Sequence, residues 1–291
     1  MERNTPLTII EPAKRGFHLN LREIWQYREL LFFFVWREIK VRYKQTVFGV
    51  LWAILQPFMT MVVFTIFFGG LAQIDTNGIP YPVFSYAALV PWTFFSNSIT
   101  GIAISMTSNA NTIKKIYFPR IILPISQVGT YFVDFLMAFA VLLVMIVIYA
   151  LGGPTQAADG TTTVQIQLSW NIIWLPFFLL LTMTTALGFG LWLAALNVLF
   201  RDVRYAAGFI IRLWMFITPV IYPTELLDET WQIIYSFNPM VGVIDGFRWA
   251  LLGVGEPPTV RIVISVCVAL VILVSGVIFF NRMERLFADV V

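Results

Sequence analysis

Long apolar segments alternate with short polar segments along most of the 291-residue chain. A helix needs about 20 apolar residues to cross the roughly 30 Å hydrocarbon core of a bilayer. Six segments are of this order: residues 47–70, 83–105, 122–151, 170–199, 206–222 and 259–280. The pattern predicts an all-α integral membrane protein with six transmembrane helices.

Positively charged residues fall on one side of the predicted spans. The links 71–82 and 152–169 contain no lysine or arginine, whereas the N-terminal segment, the second and fourth links and the C-terminal tail contain several. Cytoplasmic segments of membrane proteins are enriched in lysine and arginine. The distribution therefore predicts that both termini lie in the cytoplasm.

The chain before the first span has its own pattern. Residues 1–46 are predicted to form a cytoplasmic tail and an amphipathic interface helix, and residues 47–291 the transmembrane domain. Polar and apolar residues alternate at helical spacing in this stretch, as in helices that lie at a membrane surface. The helix can be a plain membrane anchor or a docking surface for a partner, and the two are compatible. Its candidate interface residues are Leu21, Ile24, Trp25, Arg28 and Leu31.

The segment 223–258 contains two apolar stretches of about a dozen residues, broken at Asn238-Pro239. Each would rise only about 18 Å as a helix, which is too short to cross. Proline disfavours one continuous helix through the break. One further full span would put Arg282 and Arg285 outside. The pattern therefore predicts a re-entrant helical hairpin that dips in from the outer side.

Composition narrows the possible functions. The chain is 59% hydrophobic and 12% charged, against about 25% charged residues in soluble proteins. Cys267 and His18 are the only residues of their kinds, so a metal site is not expected. The sequence contains no G-x-x-x-x-G-K-[ST] phosphate-binding loop and no catalytic constellation. We expect neither an enzyme nor a nucleic-acid-binding protein.

Two ionisable residues lie inside the predicted spans, Asp134 in the third and Arg212 in the fifth. Such residues are costly in a membrane and are candidates for function. An ion pair between them would reduce the cost of both, and Arg212 can instead extend towards the inner surface. A proton relay is disfavoured because Asp134 is the only carboxylate well inside a span.

Several motifs together resemble one transporter family. They are REIKVRYKQTVFGVLWAILQPF (37–58), LVPWTFFSNSI (89–99), NANTIKKIYFPRIILP (109–124), LNVLFRDVRY (196–205), TPVIYP (218–223) and FNPM (237–240). In this order and spacing they resemble the membrane subunit of ABC exporters of the polysaccharide and polyol-phosphate branch, the Wzm-type O-antigen export permeases. The resemblance covers nearly the whole chain after residue 20.

The resemblance implies a homodimer in a bacterial inner membrane, with one pore at the dimer interface. Two copies of a soluble P-loop ATPase would bind below it and carry the ATP and magnesium, so this chain needs no cofactor. The substrate would be a lipid-linked polysaccharide, and the hairpin would form an outer gate.

The resemblance also assigns roles to residues. The link between the second and third spans would be a coupling helix seated in the ATPase, ended by Pro119. Its residues are Lys114, Lys115, Ile116, Tyr117, Phe118, Pro119 and Arg120. Taken without the resemblance, this link can equally be a positive loop whose aromatics rest among lipid headgroups. Pore-lining candidates from the first, second and fifth spans are Trp52, Phe58, Trp92, Phe95, Trp214 and Phe216.

Other functions stay open at this point. A capsular polysaccharide or a teichoic acid is an alternative cargo for an exporter. A secondary transporter driven by an ion gradient is a different class, and it would require Asp134 for transport. An intramembrane glycan-modifying enzyme is disfavoured by the missing catalytic residues.

Overall fold

The structure, a computed structural model, describes residues 21–44, 49–152, 170–200, 202–253 and 259–290. These residues form helices and connecting turns, with no β-strand among them. The α-helices are α1 (Leu21–Gln26), α2 (Arg28–Lys44), α3 (Leu51–Phe64), α4 (Tyr81–Ser108), α5 (Ala110–Ile113), α6 (Ile122–Leu151), α7 (Leu175–Leu199), α8 (Val203–Phe216), α9 (Glu229–Tyr235), α10 (Pro239–Leu252) and α11 (Thr259–Val290). A π-helix (Thr65–Leu71) continues α3, and 3₁₀ helices are found at Trp170–Trp174 and Thr224–Leu226.

Five helical segments are long and apolar enough to cross a membrane: Leu51–Leu71, Tyr81–Ser108, Ile122–Leu151, Trp170–Leu199 and Thr259–Glu284. The shortest has 21 residues, about 30 Å of helix. They correspond to the first four predicted spans and the sixth, and the chain is an all-helical, multi-pass membrane protein. The predicted start of the first span, at residues 47 and 48, lies outside the described residues.

The fifth predicted span is only partly helical. α8 has 14 residues and ends at Phe216, about 21 Å of helix. Residues 217–222 continue as turns and bends. Pro219 explains the early end, because a proline cannot donate a backbone hydrogen bond and disfavours helical geometry in the residue before it.

α4 forms the centre of the bundle. Most of its side chains from Val83 to Met106 are buried, and it packs against α3, α6, α7, α8 and α10. Its sequence is apolar on most sides, which is typical of a helix surrounded by other helices. Pro82 lies in the first turn of α4, where backbone N–H groups have no hydrogen-bond partner within the helix, so the missing N–H of proline costs no hydrogen bond.

Glycines allow α7 and α11 to approach closely. A Cβ atom on Gly188 would lie 2.8 Å from the backbone nitrogen of Leu273, and one on Gly276 would lie 2.5 Å from the carbonyl oxygen of Gly188. Trp192 and Phe279 stack nearby with ring centroids 4.2 Å apart. Close approach through small residues is common between transmembrane helices.

We expect Gly188→Ala to lower the melting temperature of the purified protein, because the added methyl group would meet backbone atoms of α11. Gly208→Ala is the matched control, since a Cβ atom there has nothing within 4 Å and alanine favours a helix by up to about 1 kcal/mol over glycine. Scanning fluorimetry in detergent measures both variants. Equal melting temperatures would contradict this packing.

Two short helices occupy the predicted hairpin region. α9 has 7 residues and α10 has 14, so neither is long enough to cross a bilayer alone. The break lies at Asn238, whose side chain accepts a hydrogen bond from the backbone N–H of Met240 and so caps α10. Residues 254–258 of the predicted segment lie outside the described residues.

Candidate functional site

A stripe of polar side chains runs along the one face of α4 that the described chain leaves open. From Thr93 to Thr107 the partly or fully exposed side chains recur every three or four residues, which places them on one face of the helix. They are Thr93, Ser96, Asn97, Thr100, Ile104 and Thr107. Five of the six are polar, although α4 lies in the middle of a membrane bundle.

α3 and α8 both pack against α4. Phe58 of α3 contacts Tyr86 of α4 with ring centroids 6.5 Å apart. Trp214 of α8 contacts Phe95 of α4 at 5.2 Å. We call the open polar stripe of this helix the α4 groove.

α8 has two different exposed faces beside a buried one. The first exposed face carries Tyr205, Phe209, Arg212 and Phe216, and the second carries Ala206, Ile210 and Leu213. Spacings of three and four residues keep each set together on the helix surface. The second face matches lipid tails, whereas an arginine among aromatic rings is unfavourable in lipid. Arg212 has no carboxylate partner among the described residues.

The six pore-lining candidates have different surroundings. Trp52 and Phe216 are more than half exposed. Phe58 is partly buried against Tyr86, and Trp214 packs between Phe95 and Phe189. Trp92 and Phe95 lie in the core. Only Trp52 and Phe216 therefore offer open aromatic surface, because the other rings fill the space between helices.

Asp134 pairs with Arg42 rather than with Arg212. The Arg42 guanidinium donates to Oδ2 of Asp134 at 2.7 Å, and the Tyr43 hydroxyl donates to Oδ1. The expected pair with Arg212 is thus replaced by one that ties the end of α2 to α6. Burial, together with the bond to Asp134, raises the pKa of the Tyr43 phenol well above its usual value, so Tyr43 stays protonated and donates. The sequence did not indicate Arg42 as the partner, because Arg42 is one of many positively charged residues in the N-terminal segment.

We expect Asp134→Asn to destabilise the protein by about 1–3 kcal/mol, since the partly buried Arg42 loses its charged partner. Adding Arg42→Gln should recover part of the loss, because the second change removes the unpaired charge. Melting temperatures of the two single variants and the double variant measure the coupling. Strictly additive effects would show that the pair contributes nothing.

The basic link between α4 and α6 contains less helix than expected. α5 ends at Ile113, and residues 116–121 are not helical. The expectation that Pro119 ends the short helix is therefore wrong, because the helix stops six residues earlier. Lys114 and Lys115 are exposed, as a surface that meets acidic groups or phosphates requires.

The three apolar residues of this link separate into two roles. Ile116 and Tyr117 are exposed, Tyr117 by 69%, whereas Phe118 is only 5% exposed. Phe118 packs against Phe34 of α2 with ring centroids 5.5 Å apart. Phe118 therefore holds the link to the chain itself, and the open apolar surface consists of Ile116 and Tyr117.

Polar contacts fix both ends of the same link. At its start, Arg37 of α2 donates to the side chain of Asn109. At its end, Arg120 donates to the backbone carbonyl of Glu284 in α11 and lies 3.9 Å from its carboxylate. α2, the basic link and α11 therefore form one connected surface.

The N-terminal helix is interrupted at Tyr27 and continues as α2 to Lys44. Ile24 and Leu31 are partly buried, while Trp25 and Arg28 are exposed, with the Arg28 guanidinium 5.6 Å from the Trp25 ring centre. The Leu21 side chain lies outside the described residues. The second half, α2, packs on α6, so only the first part presents both sides to its surroundings.

A buried charged cluster at the other end of the bundle was not predicted. Arg248 of α10 donates to the backbone carbonyls of Phe84, Pro219 and Val220. Its guanidinium also lies 3.5 Å from the centre of the Phe84 ring. Burial lowers the pKa of Arg248 to about 10, against the opposing charge of Asp245, so it stays protonated at neutral pH. The one signal in the sequence for this role is that Arg248 is an arginine within an otherwise largely apolar short helix.

Asp245, one turn before Arg248, belongs to the same cluster. Its carboxylate accepts from Thr224 at 2.8 Å and pairs with Arg261 at 3.1 Å. Burial raises the pKa of Asp245 to about 6, while Arg261 and Thr224 act in the opposite direction. The cluster ties α10 to the start of α11 and to the turns that follow α8.

The sequence profile of the family described as "ABC-2 type transporter" matches residues 29–252. The chain belongs to the ABC-2 type transporter family. The match begins in α2 and ends with the last residue of α10, so it includes the α4 groove, the basic link, Asp245 and Arg248. The chain is therefore the membrane subunit, or permease, of an ABC transporter.

Individual relatives of this permease are similar over most of their length. The O-antigen export system permease protein RfbA of Myxococcus xanthus is 30% identical over 92% of this chain and 98% of its own. A protein of the same name from Klebsiella pneumoniae is 27% identical over 87% and 92%. The polysialic acid transport protein KpsM of Escherichia coli is 22% identical over 74% and 78%.

Proposed function

We propose that this permease exports a lipid-linked polysaccharide of the O-antigen type from the cytoplasm across a bacterial inner membrane, driven by a separate ATPase. The observation that carries the proposal is its 27–30% identity to three O-antigen export system permeases over 87–92% of the chain. A capsular polysaccharide or a teichoic acid is the alternative cargo. Similarity to the polysialic acid transport protein favours a polysaccharide between these two.

Residues 203–222 complete a sixth crossing in this proposal. Asn197, just before α8, donates to the carbonyl of Ala103 at 2.9 Å, and Tyr81 donates to the carbonyl of Ile221, after α8, at 2.9 Å. Residues 81 and 103 are separated by about 33 Å along α4, close to the hydrocarbon thickness. α8 and its turns thus follow α4 over a membrane-length distance.

With six crossings both termini lie on one side, and the lysines and arginines on that side favour the cytoplasm. The hairpin then enters from the outer side. In support, the Ser265 hydroxyl donates to the carbonyl of Ser236 at 3.2 Å. Ser265 is six residues into α11, so the turn between α9 and α10 lies about 9 Å below the start of that helix.

The α4 groove and the exposed aromatic–arginine face of α8 form the translocation path in this proposal. A single copy leaves the groove open, and a second copy in a homodimer closes it. Hydroxyl and amide groups suit a glycan, and Arg212 suits the phosphate of its lipid carrier. Two copies of the ATPase bind at the basic link, and they hold the ATP and magnesium.

Inverted membrane vesicles test the energy source. The permease, its ATPase and a radiolabelled lipid-linked glycan on the outer vesicle face should give ATP-dependent protection of the glycan from added glycosidase. Protection should continue when ionophores remove the ion gradients and stop with a non-hydrolysable ATP analogue. Transport that needs the ion gradient but no ATP would indicate a secondary transporter instead.

A further inference from the structure

A cavity of about 310 Å³ lies where the end of α2 meets α3, α4 and α6. Its wall includes Trp52 and Gln56 of α3, Asn97 of α4 and Tyr131 of α6. The Arg42–Asp134 ion pair closes the side towards α2.

The polar groups of the cavity wall are available to a ligand. The side-chain amides of Gln56 and Asn97 have no hydrogen-bond partner within the described ranges and are not fully buried. Each amide can both donate and accept. The Asp134 carboxylate uses one contact on each oxygen, to Arg42 and Tyr43, although a carboxylate has about four acceptor positions. The wall therefore offers several hydrogen bonds of both kinds.

The charges of the cavity disfavour an anion. Among the described residues, Arg42 and Asp134 are the only charged ones in the cavity wall, and their opposite charges lie 2.7 Å apart. A phosphate would have to compete with Asp134 for Arg42 and would meet the carboxylate itself. A neutral ligand with many hydroxyl groups meets neither obstacle, because each hydroxyl can donate to the carboxylate and accept from an amide.

The aromatic rings and the size agree with a sugar. Trp52 lines the cavity next to the amides and is more than half exposed, and the flat apolar surface of its ring can stack on the C–H face of a pyranose ring. The volume is at the low end for small-molecule sites, so it suits one sugar ring rather than a long chain segment. Thr93 and Asn97 belong both to the cavity wall and to the polar stripe, so the cavity opens onto the α4 groove.

We infer that this cavity is a binding site for one neutral pyranose residue of the glycan, placed beside the translocation path. The inference rests on the proposed function. The site holds a sugar ring through Asn97, Gln56 and the free positions of Asp134, with Trp52 against its face. It gives the permease its own contact with the glycan, independent of the phosphate and of the lipid.

Saturation-transfer difference NMR on the full-length protein in nanodiscs tests the site. The probes are methyl α-D-mannopyranoside and methyl α-D-glucopyranoside, with pyrophosphate as the anionic competitor. We expect saturation of at least one glycoside, no displacement by pyrophosphate, and binding about tenfold weaker or worse in Asn97→Leu, which removes the amide but keeps the volume. Thr184→Leu is the matched control, because Thr184 lies on α7, outside both the cavity and the α4 groove. It should bind like the wild type.

Several outcomes would overturn the site. The first is no saturation of either glycoside by the wild type. The second is equal binding by the Asn97→Leu and Thr184→Leu proteins. The third is displacement by pyrophosphate, which would assign the cavity to a phosphate. Trp52→Leu provides a second variant if Asn97→Leu fails to fold.

Cells lacking the permease separate the two proposals. If surface glycan is lost without the permease and Asn97→Leu binds sugar normally, the sugar site in the cavity is contradicted and the proposed export function is not. Unchanged surface glycan without the permease contradicts the proposed function.

Discussion

Replacing Arg248 with methionine should strongly lower the stability of the protein. The Arg248 side chain is only 7% exposed and satisfies three backbone carbonyls, at 2.6 Å for Pro219, 2.9 Å for Val220 and 3.3 Å for Phe84. Each buried carbonyl left without a partner costs about 1–3 kcal/mol. Methionine fills a similar length but donates nothing.

The melting temperature should fall by about 6–12 °C or more, which corresponds to about 3 kcal/mol in a chain of this size. Arg212→Met is the matched control, because Arg212 is exposed and has no ion-pair partner in the described part of the chain. Thermal unfolding of both detergent-purified variants, followed by circular dichroism, measures the difference. A wild-type melting temperature for Arg248→Met would show that the cluster does not hold α10 to the turns after α8.

The double variant Ile116→Ala, Tyr117→Ala should stop export while leaving the membrane fold intact. Both side chains are exposed and directly follow two exposed lysines, Lys114 and Lys115. Truncation of a buried aromatic anchor in an interface costs 2 kcal/mol or more, which is more than a tenfold loss of affinity. The expected result is an ATPase that no longer co-purifies with the permease and surface glycan reduced at least about tenfold.

Phe118→Ala separates docking from folding at the same link. Phe118 is buried against Phe34, and replacing a buried phenylalanine by alanine costs about 3–5 kcal/mol. This variant should therefore have a lower melting temperature, whereas the double variant should melt like the wild type. Normal export by the folded double variant would contradict the coupling role of the link.

The long spans could be predicted because the length of an apolar segment is enough to indicate a transmembrane helix. The third predicted span, 122–151, coincides with α6, and the fourth, 170–199, with the 3₁₀ turn and α7. Proline effects were harder to place. Pro57 and Pro91 lie inside α3 and α4, yet Pro219 comes after the end of α8. A proline is tolerated inside a transmembrane helix where neighbouring helices or side chains provide other hydrogen bonds for the backbone groups that it leaves unpaired. Elsewhere a proline ends the helix.

The candidate site was less predictable because it depends on which helix faces meet. Trp92 and Phe95 were expected to line a pore but fill the core, whereas the α4 groove contains threonine, serine and asparagine that carry no signal in hydropathy. The partner of Asp134 is 92 residues away in sequence, and no local pattern indicates it. Periodicity places side chains on a face but does not say what that face meets.

Deletion of the permease in its native cell tests the central claim most directly. Surface polysaccharide and cytoplasmic lipid-linked glycan are measured together, with the wild-type permease expressed from a plasmid as the control. Export predicts that long polysaccharide disappears from the surface, accumulates inside on its lipid carrier, and returns to the surface with the plasmid. Unchanged surface polysaccharide, with no accumulation inside, would contradict polysaccharide export as the function of this permease.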